Sequence, residues 1–268
     1  KVLLPNYGVF DEERYFVPGT EVLLASFGTV EVAVTICEDL WFPWGPVASA
    51  AAAGAEVVVS INASPYRMEK ADRLIPMLAT RAADHGVHIF YVHMVGGQDE
   101  LVFDGQSLHI DPQGRVLARA GAFTEELLVV DLTLEEGATA RLSDRPRHSP
   151  ATDPRPDLAV NRVRVLDRLP DPGPPRERKL AQPLVVEEEV YRALVTATRD
   201  YLGKNGFDTV HVGLSGGIDS SLVATIAADA LGRDRVVGVA MPSSYSRPSS
   251  LADAEALAAN LGIRLLTL

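Results

Sequence analysis

GLSGGIDSS, Gly213 to Ser221, stands between a strand-like run, Thr209 to Leu214, and a helix-like run that reaches about Leu231. Gly216 and Gly217 let the backbone turn tightly and aim its amides at an anion. Ser215, Ser220 and Ser221 add hydroxyl donors at a helix N-terminus whose dipole favours negative charge. The segment is built to hold phosphate. No lysine follows the glycines, so it is not GxxxxGK[ST], and its spacing is not GxGxxG. Asp219 repels phosphate unless a Mg²⁺ lies between them, and a carboxylate with phosphate oxygens suits that hard cation. Asp219 therefore reads as a metal ligand; the alternative is a helix-end carboxylate that merely favours the dipole.

Outward from this loop the pattern is βαβαβ, with strands Val236 to Ala240 and Arg264 to Leu268 around a helix from Leu251 to Leu261. It predicts a Rossmann-like parallel sheet. Ser250 three residues before Asp253 resembles a capping box, and Gly262 closes that helix. An amphipathic helix, Val186 to Leu202, precedes the loop with Val190, Leu194 and Val195 on one face.

Nine of the 18 prolines fall between Pro146 and Pro183, among Arg and Asp. This stretch, 142–183, reads as a linker or surface arm, with an apolar patch at Val163 to Leu166 able to dock. Before it, strand-like runs (Glu21 to Phe27, Val30 to Ile36, Glu56 to Asn62, His88 to Val95, Gln106 to Ile110, Leu127 to Leu132) alternate with helix-like ones (Val47 to Ala53, Arg67 to Asp84). A mixed α/β domain follows. Asp111-Pro112-Gln113-Gly114 marks a hairpin, so part of its sheet is antiparallel.

The chain of 268 residues is 47% hydrophobic and 23% charged, which excludes collagenous, disulfide-dense and disordered classes. Its net charge of −11 leaves no global field for nucleic acid or an anionic membrane, and no apolar run reaches the roughly 18 residues of a membrane span. With one cysteine and no secretory signal it reads as cytoplasmic. The start at Lys1 and the stop at Leu268, inside an apolar run, read as two cut ends.

That cysteine, Cys37, follows a buried strand in VAVTICEDLW and precedes an acidic turn. A strand end can present a strained nucleophile, although a lone cysteine also fills cores. None of the six histidines makes a metal set; His85 and His88 lack a HExxH frame, and His93 lies on a buried strand.

The strand–SGGIDSS–helix unit resembles the signature of the PP-loop ATP pyrophosphatases. KVLLPNYGVFDEERYF, TICEDLWFP, NASPYRMEK and VGGQDELVFDGQSLHIDPQGRVL, in that order, resemble the nitrilase-type glutaminase domain of the glutamine-dependent NAD synthetases. MPSSYS, Met241 to Ser246, resembles that family's MPSRYSS, with Ser244 where arginine is expected. The resemblance implies an α/β fold: a nitrilase-like αββα sandwich at 1–141, the linker at 142–183, and a Rossmann-like PP-loop domain at 184–268.

By the same resemblance, Cys37 is the nucleophile and Lys1 the triad lysine, with Glu12 supporting the lysine. The triad glutamate lies upstream of Lys1. Tyr7, Ser64 and Lys70 hold glutamine. Gly213, Leu214, Ser215, Gly216, Gly217, Ile218, Asp219 and Ser220 hold ATP with Mg²⁺, the metal on Asp219. For Lys1, Glu12 and Lys70 the alternative is a solvated surface charge. Ammonia released from glutamine then amidates nicotinic acid adenine dinucleotide that ATP has adenylated. A homo-oligomer is expected, and the charge and hydropathy above argue for no nucleic-acid or membrane partner. Two rivals remain: another PP-loop amidotransferase, which TICEDLW and LPNYGVFDE disfavour, and a non-catalytic nucleotide-binding fragment.

Overall fold

The structure is a computed structural model that describes residues 1–132, 134, 158–171, 173–243, 245 and 247–268. It divides into two compact units, one formed by Lys1–Met94 with Gly105–Pro183 and the other by Val95–Asp104 with Leu184–Leu268. Residues 142–157 of the expected linker, and Ser244, lie outside the described residues. No helix among the described residues is long and apolar enough to cross a membrane.

The first unit opens with a hairpin, β1 (Glu21–Phe27) and β2 (Val30–Ile36), whose turn needs the left-handed backbone of Gly28 at φ +63°. Helix α1 (Pro46–Ala52) leads to β3 (Val57–Asn62), and helix α2 (Lys70–His85) leads to β4 (His88–His93). Both crossovers join parallel neighbours. The hairpin β5 (Val95–Gln98) and β6 (Leu101–Asp104) folds with the other unit. The chain then returns as β7 (Leu108–Ile110) and β8 (Val116–Arg119), joined by the expected Asp-Pro-Gln-Gly turn. With β9 (Ala159–Leu166) these make one seven-stranded mixed sheet, ordered β8-β7-β4-β3-β2-β1-β9.

One face of the sheet buries Leu24, Ala33, Val58 and Ile89 against Val47 of α1 and Leu78 of α2. On the opposite face Ile61, paired with Val92, is 55% exposed and Val92 45%. In an αββα sandwich a second sheet covers that side.

Four expectations change in this unit. The run His88 to Val95 is not one strand: it breaks at Met94, whose amide bonds Asn62 O, and the chain leaves through Gly96 at φ +127°. The arm does dock, but as β9, an edge strand parallel to β1 and exposed along its length. Leu127 to Leu132 forms no strand; Leu127 is 89% exposed and finds no core to cover. Helix α2 begins at Lys70 rather than Arg67, because Glu69 at φ +60° ends the preceding turn.

Next to the core, His88 Nδ1 and His109 Nε2 lie 3.1 Å apart, and the His109 ring stacks on Phe90. Both histidines are buried. Burial, and then the neighbouring His88, push His109 down to about 4. Its neutral form therefore contributes stability that is complete above the ordinary value of 6.5 and is lost as the pH falls through 4. The loss amounts to about 3 kcal/mol on the usual conversion of a pKa difference. Thermal melting from pH 7 to 4 is expected to show this slope, and His109→Gln to flatten it.

In the second unit, helix α3 (Val186–Lys204) leads to β10 (Val210–Gly213), α4 (Ile218–Leu231), β11 (Val236–Ala240), α5 (Pro248–Leu261) and β12 (Arg264–Thr267). The three strands are parallel, as the βαβαβ pattern predicts, and pack Leu214, Val236 and Ile263 against Ala224 and Ala254 of the helices. The capping-box reading of Ser250 fails: α5 starts at Pro248, where a missing N–H costs nothing, and Ser250 sits in its first turn. Gly262 does close it, at φ +68°. The hairpin β5–β6 is held to α3 by Gly97 N–H donating to Asp200 (2.7 Å) and Lys204 donating to Gly97 O (2.5 Å). A side chain on Gly97 would press within 3.1 Å of the Ala197 backbone.

Candidate functional site

Strand β2 delivers Cys37 at its end, where the chain turns into a short 3-10 helix, Cys37–Leu40. Cys37 adopts φ +49°, a left-handed conformation unusual for a side chain with a Cβ and one that surroundings must enforce. Asp39 does the enforcing. Only 2% exposed, it accepts the Ile36 amide on Oδ2 (3.1 Å) and the Val2 and Leu3 amides on Oδ1 (3.0 and 2.9 Å). The same carboxylate thus ties the thiol turn to the segment that carries Lys1.

Lys1 Nζ donates to both oxygens of Glu12, at 2.6 and 2.5 Å. Tyr7 donates its hydroxyl to Glu38 Oε2 at 2.8 Å. Lys70 Nζ donates to Ser64 O at 2.8 Å and lies 3.4 Å from His93 Nε2. Tyr7, Ser64 and Lys70 line one cavity of about 430 Å³ with Cys37, Trp41 and Arg67. Lys1 and Glu12 do not line it, yet their charges act on the thiol.

Burial pushes the Cys37 thiol up, Glu38 and Glu12 add to the rise, and Lys1 and Lys70 oppose it. Tyr7 is driven up to about 12, by burial and then by its bond to Glu38, so it stays a neutral donor. A thiol held protonated needs a base before it can attack, and an ammonium nearby favours the anion once formed.

In the second unit the loop leaves β10 through buried Leu214 and turns at Gly216, φ +75°. A Cβ on Gly216 would lie 2.4 Å from Ser250 O, so only glycine fits. Ser215 Oγ accepts the Gly217 amide at 3.3 Å and lies 3.1 Å from Ser220 Oγ. The first helical amide to find a carbonyl is that of Ser221, bonded to Gly217 O at 3.1 Å. Among the described residues the amides of Ile218, Asp219 and Ser220 have no carbonyl partner and stand at the helix end as donors. The Asp219 side chain is exposed beside them.

Residues 1–142, more than half of the chain, match the carbon-nitrogen hydrolase family, and residues 190–268 match NAD synthase. The chain belongs to the carbon-nitrogen hydrolase family. Among similar proteins are the glutamine-dependent NAD(+) synthetases of Thermotoga maritima, 46% identical, and Aquifex aeolicus, 48% identical. Each alignment covers 98% of this chain but 45% and 46% of the relative, so the chain spans a little under half their length. The solved glutamine-dependent NAD+ synthetase of Acinetobacter baumannii, in complex with ADP, is 33% identical with a TM-score of 0.76, over 100% of this chain and 44% of its own.

Around Cys37, motif reading missed Asp39, Glu38, His93 and Arg67. A carboxylate two residues after a strand-end cysteine, followed by apolar Leu40 and Trp41, hints at a buried anchor. Nothing local ties His93 to Ser64, since 29 residues separate them and only adjacent strands β3 and β4 bring them together.

Proposed function

We propose that the chain belongs to a glutamine-dependent NAD synthetase. The observation that carries this reading is one chain holding both a strained thiol facing a cavity and a phosphate-type loop whose helix-end amides have no carbonyl partner among the described residues. The Cys37 sulfur, once deprotonated, attacks the side-chain amide carbon of glutamine. The developing oxyanion is stabilised by the Lys1 ammonium, which Glu12 orients. The carbon–nitrogen bond breaks, a proton moves to nitrogen, and ammonia leaves. Water then cleaves the thioester to glutamate, with the family's upstream glutamate as base.

In the second unit, the amides of Ile218, Asp219 and Ser220 and the hydroxyls of Ser215 and Ser220 suit the phosphates of ATP. For Mg²⁺ the protein offers one exposed carboxylate, Asp219, to which the phosphate oxygens of ATP would add the remaining hard ligands. Held by Asp219, Mg²⁺ would supply positive charge against the pyrophosphate leaving group. ATP adenylates nicotinic acid adenine dinucleotide, and ammonia displaces AMP to give NAD. We read the protein as a cytoplasmic homo-oligomer without nucleic-acid or membrane partners.

The test supplies the full-length protein with glutamine, ATP, Mg²⁺ and nicotinic acid adenine dinucleotide. Equal amounts of NAD, AMP, pyrophosphate and glutamate are expected. AMP formed only with a different carboxylate acceptor would instead identify another PP-loop amidotransferase.

A further inference from the structure

The cavity beside Cys37 contains more positive charge than the proposed chemistry uses. Lys1 is held by Glu12, and Lys70 is occupied by Ser64 O and His93. Arg67 and Arg73 also line the cavity, and neither guanidinium has a carboxylate or carbonyl partner among the described residues. Glu69, on the same turn as Arg67, is not bonded to it.

Arg67 is the better placed of the two. It stands in the turn ahead of α2 that Glu69 ends in a left-handed conformation, so it belongs to the loop and not to the helix face. Its Nη2 lies 3.5 Å from where a Cβ on Gly8 would be, which sets the guanidinium over the backbone next to Tyr7. The Tyr7 hydroxyl is bonded to Glu38, the residue after the nucleophile. Thiol, Glu38, Tyr7 and Arg67 thus follow one another, with reactive sulfur at one end and an uncommitted planar cation at the other.

That order matches the chemistry of a free amino-acid amide. Its reacting carbon and its α-carboxylate are joined by a short flexible chain, and a guanidinium is the side chain best shaped to take a carboxylate through two bonds. Resting on the glutaminase reading above, we infer that Arg67 is the specificity-determining residue of the thiol cavity: its guanidinium receives the substrate's α-carboxylate. The site therefore selects free glutamine over amides that lack this charge.

The test compares ammonia release by the full-length protein from glutamine and from 4-aminobutanamide, which is glutamine without its α-carboxylate. Arg67→Gln is expected to raise the KM for glutamine by about 10- to 100-fold, the scale of one lost charged hydrogen bond, with kcat within roughly 3-fold. It leaves the KM for 4-aminobutanamide unchanged, and Arg67→Lys recovers part of the loss. Because Arg67 is exposed, the melting temperature should hold and exclude misfolding as the cause. An unchanged glutamine KM in Arg67→Gln overturns the inference, as does an equal loss on both amides, or the same effect from Arg73→Gln in its place. A native protein that releases no ammonia from glutamine at all overturns the glutaminase reading together with it, so the two failures are told apart.

Discussion

Cys37→Ala is expected to lower glutamine-driven NAD synthesis by roughly 10⁴-fold or more, the scale seen when a nucleophile is removed from a unit that acts together. On the proposed function, synthesis driven by added ammonium is expected to continue at its normal rate, since ammonia then reaches the second unit without Cys37. The contrast matters because Cys37 sits at φ +49° in a turn fastened by Asp39, and a general disturbance there would lower stability without sparing one nitrogen source. As the sole cysteine, it should also be the single site labelled by a glutamine-like chloroketone, read as a mass shift on its peptide. Glutamine-driven synthesis that survives the substitution removes Cys37 from the mechanism.

Asp219→Asn keeps the shape of the side chain and removes its charge. If the carboxylate holds Mg²⁺ against the pyrophosphate of ATP, adenylation falls by about 10²-fold or more, with kcat affected more than KM, because the contact is made chiefly as charge leaves. Basal glutamine hydrolysis at Cys37 is expected to stay unchanged. The competing account makes Asp219 a first-turn carboxylate that favours the helix dipole, worth about 0.3–1 kcal/mol. Pyrophosphate release measured beside thermal melting separates them. A variant that adenylates normally and only melts slightly earlier returns Asp219 to a structural role.

Features set by a few adjacent residues were legible in the sequence. β1 and β2 were readable to the residue, because alternating burial and a glycine turn are local facts. The loop at Gly213 to Ser221 was readable too, since φ +75° at Gly216 and the helix start at Ile218 depend on neighbours in the chain. So was the strand-end position of Cys37. The chemistry of those groups was implied by their types and by the family resemblance.

Other features depend on which distant segments meet. Glycines at 96 and 97 gave no sign that the hairpin Val95–Asp104 would fold with α3, because that pairing rests on Asp200 and Lys204, more than 100 residues away. A proline-rich arm gave no sign that Ala159–Leu166 would close the sheet edge beside β1. Asp39 looked like one more charge in an acidic turn until the Val2 and Leu3 amides were found on its carboxylate. By itself, then, the sequence determined the βαβαβ loop, the turn at Cys37 and the family, because backbone torsion and side-chain chemistry are carried by adjacent residues. Only the tertiary structure decided which carboxylates and cations are committed and that Arg67 has no carboxylate partner among the described residues, because burial and pairing depend on neighbours that the fold brings together.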